Sequence, residues 1–199
     1  MWYKAGMSVV LKHPPAGMTV AEFREWDAGD GRRWQLVDGE PVAMAPAGDN
    51  HGSIQTELAY LLTAHLIGLG SRCRAVTTPG VIPRVRETEN WRIPDLGVTC
   101  TPSTGSLEVP NPVLLVEILS PSNHRQSRAN VWTYTTLPSV QELLVVHSTR
   151  VEAELLRRLP DGFWPARPLL LRDGETLTLD SVGLSLPLRA LYRTTSLAA

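Results

Sequence analysis

Two carboxylates stand inside the most apolar stretches of this chain. In "RIPDLGVTC" (92–100) Asp95 follows Pro94, and in "NPVLLVEILSPSN" (111–123) Glu117 sits between Val116 and Ile118. An ionised carboxylate in such surroundings is costly unless it is paired or holds a cation. Alternation along a strand puts Leu115, Glu117 and Leu119 on one face and Leu114, Val116 and Ile118 on the other, so Glu117 points inward or into a cleft whichever face is covered. Pro94, with its fixed φ and no N–H, disturbs the strand at Asp95, and a disturbed strand end can aim a side chain into a site. If the two strands are neighbours, the acids converge. They would repel each other in a low dielectric unless a divalent cation lay between them, and Mg²⁺ typically takes one or two carboxylates together with waters and substrate phosphate oxygens. The competing reading gives each acid an arginine, with Arg92, Arg125 and Arg128 as the candidates, in buried ion pairs that do no chemistry.

Other polar residues give weaker signals. Glu40, just after Asp38-Gly39, is a candidate third carboxylate, set against the reading of a solvated hairpin residue. His51, at the start of a helical stretch, is a candidate for touching a metal or phosphate, set against a solvent-facing position at a helix start. His65 reads as the edge of an apolar face, and His147 ends a strand with no companion visible. Ser120, Ser122 and Asn123 read as a turn and a helix cap. A serine hydrolase is set aside because no histidine–acid arrangement accompanies them. Trp26, Trp34, Trp91, Trp132 and Trp164 are scattered along the chain and read as packing residues rather than a base-stacking platform.

The elements that must position these groups follow from local pattern. "TVAEFREW" has Thr19 and Glu22 in capping-box spacing, which predicts a short helix. "RWQLVDGEPVAMAP" is two apolar runs around Asp38-Gly39, a strong hairpin signal because both central residues of a type I′ turn need positive φ. "HGSIQTELAYLLTAHLIGLG" carries Ile54, Leu58, Leu61, Leu62 and Leu66 at helical spacing, with Gly68 and Gly70 as stops. Strands broken by Pro79-Gly80 are expected over 72–85, central strands around 93–100 and 113–119, and a helix over roughly 124–136. "SVQELLVVHS", "VEAELLRRL", "RPLLLR" and "TLTLD" then read as short antiparallel strands. Strands mixed with helices give an α/β class.

Composition narrows the function classes. With 199 residues, 43% of them hydrophobic, the chain can bury one sizeable core, and a single domain over 1–199 is expected, its first 17 residues an irregular leader. A net charge of −1 with no block of like charges gives no general footprint for nucleic acid or an anionic membrane, so such a partner must be recognised locally. Cys73 and Cys100 are read as buried free thiols in a reducing cytoplasm. No run of 18 apolar residues and no secretory pattern appears, so a cytoplasmic location is expected, with no membrane partner. The apolar strands of 143–182 leave an edge to cover, for which a homodimer is the expected solution.

Four segments in order carry a resemblance to a known family. "RRWQLVDGEPVAMAPAGDNHGSIQTELAYLLTAHL", "RIPDLGVTC", "VLLVEILSPSN" and "LPSVQELLVV" resemble the N-terminal hairpin and long helix, the aspartate strand, the glutamate strand and the following strand of the Uma-two family, restriction-endonuclease-like domains of the PD-(D/E)XK nuclease superfamily. The resemblance implies a restriction-endonuclease-like mixed central β-sheet flanked by helices, with an N-terminal β-hairpin and C-terminal antiparallel strands. It implies Asp95 and Glu117 as ligands of Mg²⁺ (or Mn²⁺) and hydrolysis of nucleic-acid phosphodiesters, DNA ahead of RNA, by a metal-activated water. His51 matches a family histidine.

The chain departs from the pattern in its cations. Leu119 stands where the superfamily lysine would follow the glutamate, and in the helix where Uma-two members carry a lysine this chain has Asn130 near the expected position. Its only lysines are Lys4 and Lys12, which leaves Arg125 and Arg128 as the cations expected to reach a phosphate. Gln35 replaces a glutamate of many relatives. A nuclease-like fold that has lost catalysis and binds nucleic acid or protein therefore stands as the alternative.

Overall fold

The computed structural model describes residues 17–121 and 124–198. The expected leader lies outside them up to residue 16, as do Ser122 and Asn123. Along the chain come α1 (Val20–Glu25), β1 (Trp34–Val37), β2 (Glu40–Ala43), α2 (Asp49–Gly68), β3 (Arg74–Thr77), β4 (Leu96–Thr99), β5 (Pro112–Leu119) and α3 (His124–Tyr134). They are followed by β6 (Glu142–His147), β7 (Glu152–Arg157), β8 (Leu169–Arg172), β9 (Thr176–Leu179), β10 (Leu184–Pro187) and a 3₁₀ turn over Leu188–Tyr192. No helix of the described residues is long and apolar enough to cross a membrane.

The local signals act as their chemistry requires. Thr19 Oγ1 accepts from the Glu22 amide, and Glu22 reaches back to the Thr19 amide, closing both halves of the box that starts α1. Asp38 and Gly39 take φ of 51° and 85°, the pair of positive values that a type I′ hairpin turn needs.

Six strands form the central sheet in the order β3-β4-β5-β6-β7-β8. Only β5 and β6 run parallel, because α3 crosses between them; the other four pairings are antiparallel. Both faces of the sheet are covered, which is why β4, β5 and β6 are mostly apolar on both faces, with Glu117 the exception inside β5. On one face Ile54, Leu58, Leu62 and Leu66 of α2 meet Leu96, Val98, Val116 and Ile118, and the β9–β10 hairpin with Leu188, Leu191 and Tyr192 completes that core. On the other, Val131 and Tyr134 of α3 pack with Leu115, Leu119, Leu143 and Val145. The outer strand β8 leaves Leu169 and Leu170 exposed.

Three expectations need correction. Cys73 and Cys100 form a disulfide rather than two free thiols. The register that pairs Arg74 with Thr99 brings the next residue on each strand face to face, which spacing in the sequence does not reveal, and the thiol argument for a reducing compartment goes with it. His147 is not without companions: its Nε2 lies 2.9 Å from Glu154 Oε1. The tryptophans are not all scattered, since Trp26 and Trp34 meet edge to face with ring centroids 5.1 Å apart, and Trp91 joins Met18, Val20 and Leu36 in a third small core.

Trp91 has its place because residue 80 has no side chain. A Cβ on Gly80 would collide with the indole ring and lie 2.8 Å from the Leu107 carbonyl oxygen. Gly80→Ala is therefore expected to lower stability by about 1–3 kcal/mol, read as a drop in the urea midpoint; an unchanged midpoint would show that the segment yields.

Candidate functional site

The register Leu96↔Val116 sets Asp95 opposite Glu117 on neighbouring antiparallel strands. Pro94 ends the regular ladder there, and the Ile118 amide donates to Asp95 Oδ2 at 2.6 Å, clasping the aspartate to the next strand. On the other side of the carboxylate, His51 Nε2 from the first turn of α2 lies 3.2 Å from Oδ1, and Gln55 of the same helix donates to the Asp95 carbonyl at 2.6 Å. Among the described residues neither acid is clamped by a guanidinium.

Glu117 takes its partners from α3. Ser127, Asn130, Val131 and Tyr134 are buried at i, i+3, i+4 and i+7 spacing, so one stripe of that helix faces the sheet. The Tyr134 hydroxyl donates to Glu117 Oε1 at 2.8 Å, and Asn130 Nδ2 donates to the same oxygen at 3.2 Å. Behind them Arg92, 3% exposed, donates to Asn130 Oδ1 at 3.1 Å and to Asn90 Oδ1 at 2.9 Å. Asn130 thus links a buried cation to the glutamate, near the position where the resemblance leads one to expect a lysine. The described residues contain no lysine.

The electrostatics of the pair follow from this packing. Burial pushes the Glu117 carboxyl up to about 8, the nearby Asp95 charge adds to the rise, and hydrogen bonds from Ser127, Tyr134 and Asn130 oppose it. Burial, and then repulsion from Glu117, raises the Tyr134 hydroxyl well above its ordinary range. Burial also draws Arg92 down, although a guanidinium remains charged.

A cavity of about 360 Å³ opens over the pair, with Asp95, Glu117, His51 and Asn130 in its wall. Arg32 and Arg33, both exposed, line it as well. Gln126, also in the wall, has a buried Nε2 with no hydrogen-bond partner among the described residues, and His51 Nδ1 is likewise unpartnered. Sequence reasoning passed over Arg32, Arg33 and Gln126. The stripe spacing in α3 is the signal that could have separated the residues facing the sheet from those facing away.

Three expected participants lie elsewhere. Arg128 gives two guanidinium nitrogens to Glu154 on β7, and Arg125 is exposed outside the cavity wall, because the buried stripe of α3 turns both away from the carboxylates. Glu40 is exposed on β2 and also stands outside the cavity, as a solvated hairpin residue does.

The donor set suits a hard divalent ion. Among the described residues no three His, Cys, Asp or Glu side chains converge to hold a metal by themselves. Two carboxylates are nevertheless within what Mg²⁺ uses when waters and substrate oxygens complete its shell. Mutual repulsion, which contributes to the raised Glu117 pKa, is what a cation between the acids would relieve.

Comparison with known proteins gives the family and the fold. Residues 20–189 match the model of the Uma2 family, described as "Putative restriction endonuclease". "Uncharacterized protein slr1290" of Synechocystis sp. is 30% identical over 191 residues, 92% of this chain and 98% of its own length. "Uncharacterized protein sll1609" of the same organism is 23% identical over 163 residues, 79% of this chain and 90% of its own. The crystal structure of a "putative nuclease belonging to DUF820" from Anabaena variabilis superposes with a TM-score of 0.69 at 15% identity, covering 88% of this chain and 97% of that one, a likeness of fold.

Proposed function

Given that the chain belongs to the Uma2 family, we propose that it is a metal-dependent nuclease that hydrolyses phosphodiester bonds of nucleic acid, DNA ahead of RNA, with Asp95 and Glu117 as the ligands of one Mg²⁺ or Mn²⁺. The observation that carries the proposal is the antiparallel register that sets these two acids side by side at the wall of one cavity, free of any guanidinium clamp. A cation bound there would supply Lewis acidity toward a phosphoryl oxygen and make water more acidic.

The chain's own residues then divide the remaining work. The Ile118 amide and His51 hold Asp95 in one orientation. Tyr134 and Asn130 hold one oxygen of Glu117, which leaves the carboxyl a defined direction toward the cavity. Arg33 at the cavity meets the phosphate backbone, and the Gln126 amide offers a donor to a non-bridging oxygen. With no lysine among the described residues, the Arg92–Asn130 link is the cationic support on the glutamate side.

Calorimetric titration of Mn²⁺ tests the ligands. Wild type is expected to bind one ion and Asp95→Asn to bind at least tenfold more weakly, since removal of a ligand's charge takes away one of only two carboxylates. Because the ion must displace a proton from Glu117, whose pKa stands near 8, the wild-type affinity should climb with pH up to about that value and level off above it. Equal binding by both proteins would refute the site.

The absence of a family-type lysine favours a second reading, a domain that retains the fold and binds nucleic acid without cutting it. Incubation of labelled DNA and RNA with the protein and Mn²⁺ separates the two. Cleavage supports the enzyme, and retention of intact strands supports the binder.

A further inference from the structure

A second cavity, of about 320 Å³, adjoins the carboxylate site and shares Arg32, Thr78 and Ile93 with it. Its wall is aromatic. Phe23 and Trp26 from the end of α1 lie stacked with centroids 6.1 Å apart, and Trp26 meets Trp34 edge to face. Trp91 forms another side, and Leu107, 76% exposed, stands at the opening. We infer that this cavity binds one unpaired nucleobase of the strand whose phosphate lies at Asp95 and Glu117, so that the substrate is single-stranded or locally unpaired nucleic acid. The inference rests on the nucleic-acid reading of the neighbouring site.

Charge and polarity favour a base over a phosphate. The Arg24 guanidinium lies 5.0 Å from the Trp91 ring centroid and the Arg32 guanidinium 4.9 Å from that of Trp34. Each is already neutralised, Arg24 by Glu108 at 2.9 Å and Arg32 by Asp30 at 2.6 Å, and Asp27 adds a negative charge to the wall. What remains is a set of flat indole and guanidinium surfaces with little net charge, which suits a neutral heterocycle. One donor of the wall residues is also left without a partner. Trp34 Nε1 already donates to Asp30 at 3.1 Å, whereas the buried Trp26 Nε1 has no acceptor among the described residues. Ring carbonyls and ring nitrogens of nucleobases are acceptors of the kind it lacks. The volume lies at the small end of the roughly 300–1,000 Å³ range of ligand cavities and has room for a nucleobase. A base held in a duplex cannot enter such a space without leaving its stack.

The test uses the whole protein with Ca²⁺ in place of Mg²⁺ or Mn²⁺ so that strands stay intact. Fluorescence anisotropy would follow labelled single-stranded DNA and RNA of one sequence, a set of the same strands each with a single abasic position, and the corresponding duplex. The expected result is about tenfold weaker binding when one particular position is abasic, little change at the others, and duplex binding no stronger than that of the weakened strand. Trp34→Ala should erase the positional effect, and Trp26→Phe, which keeps a ring but removes the donor, should reduce it even if Trp34→Ala fails to fold. Uniform affinity across the abasic set, a duplex bound as tightly as the single strand, or no measurable binding of any strand would each overturn the inference. The two readings fail separately. A positional effect without cleavage in Mn²⁺ removes the nuclease and keeps the base pocket, while cleavage of intact and abasic strands at equal rates does the reverse.

Discussion

Glu117→Gln is expected to lower cleavage of nucleic acid in Mn²⁺ by on the order of a thousandfold or more while leaving the fold in place. Both halves of the expectation come from the partners of this side chain. Its Oε1 receives the Tyr134 hydroxyl at 2.8 Å and the Asn130 amide at 3.2 Å, and the amide oxygen of a glutamine can accept the same two bonds. With the carboxyl pushed up to about 8, the metal-free side chain is neutral at lower pH, so glutamine replaces a group of nearly its own charge and shape. A change of unfolding free energy within about 1 kcal/mol is therefore expected. The loss falls on the ionised form, the one a cation selects. Urea unfolding run beside the cleavage assay separates function from structure, since a loss of several kcal/mol in the variant would make Glu117 a structural residue.

Glu142→Ala should have the largest effect on stability, about 3–5 kcal/mol. Glu142 is 1% exposed and opens β6 in the centre of the sheet. Its oxygens accept from Arg157 Nε at 2.8 Å, from the Asp180 and Ser181 amides at 3.1 and 2.9 Å, and from the Ser181 hydroxyl at 2.6 Å. Alanine would strand the turn between β9 and β10, whose hairpin covers the α2 face of the core. Asp180→Ala is the contrast: that carboxylate is 58% exposed in its pair with Arg157, and its removal should cost no more than about 1 kcal/mol. Equal urea midpoints for Glu142→Ala and wild type would show that the turn finds other partners.

What the sequence discloses depends on how local the cause is. The Thr19–Glu22 box, the Asp38-Gly39 turn, the stripe of α2 and the doubly covered strands β4 and β5 all follow from short-range patterns, and so does the suspicion that Asp95 and Glu117 share a site. Features that depend on register or on chain-distant packing escape it. Cys73 meets Cys100 only because β3 and β4 align as they do. His147 gains Glu154 across β6 and β7, and Trp26, Trp34 and Trp91 converge from three separate segments. The strand β10 is four residues long with mixed exposure, so its sequence gives little period to read. Arg128 goes to Glu154 on β7, a partner 26 residues away in the chain that residue type alone does not reveal.

The clasp between Asp95 and the Ile118 amide has a consequence for how this protein can vary. The spacing of the two acids is written into the ladder between β4 and β5 and owes nothing to the twelve-residue connection, 100–111, that joins them. The stretch of that connection over 102–107 is exposed. Insertions and deletions there leave the carboxylates in place, whereas a one-residue slip of β4 or of β5 would turn Asp95 or Glu117, respectively, to the opposite face. Descendants of this chain are thus free to remodel that loop while inheriting the Asp95–Glu117 pair unchanged.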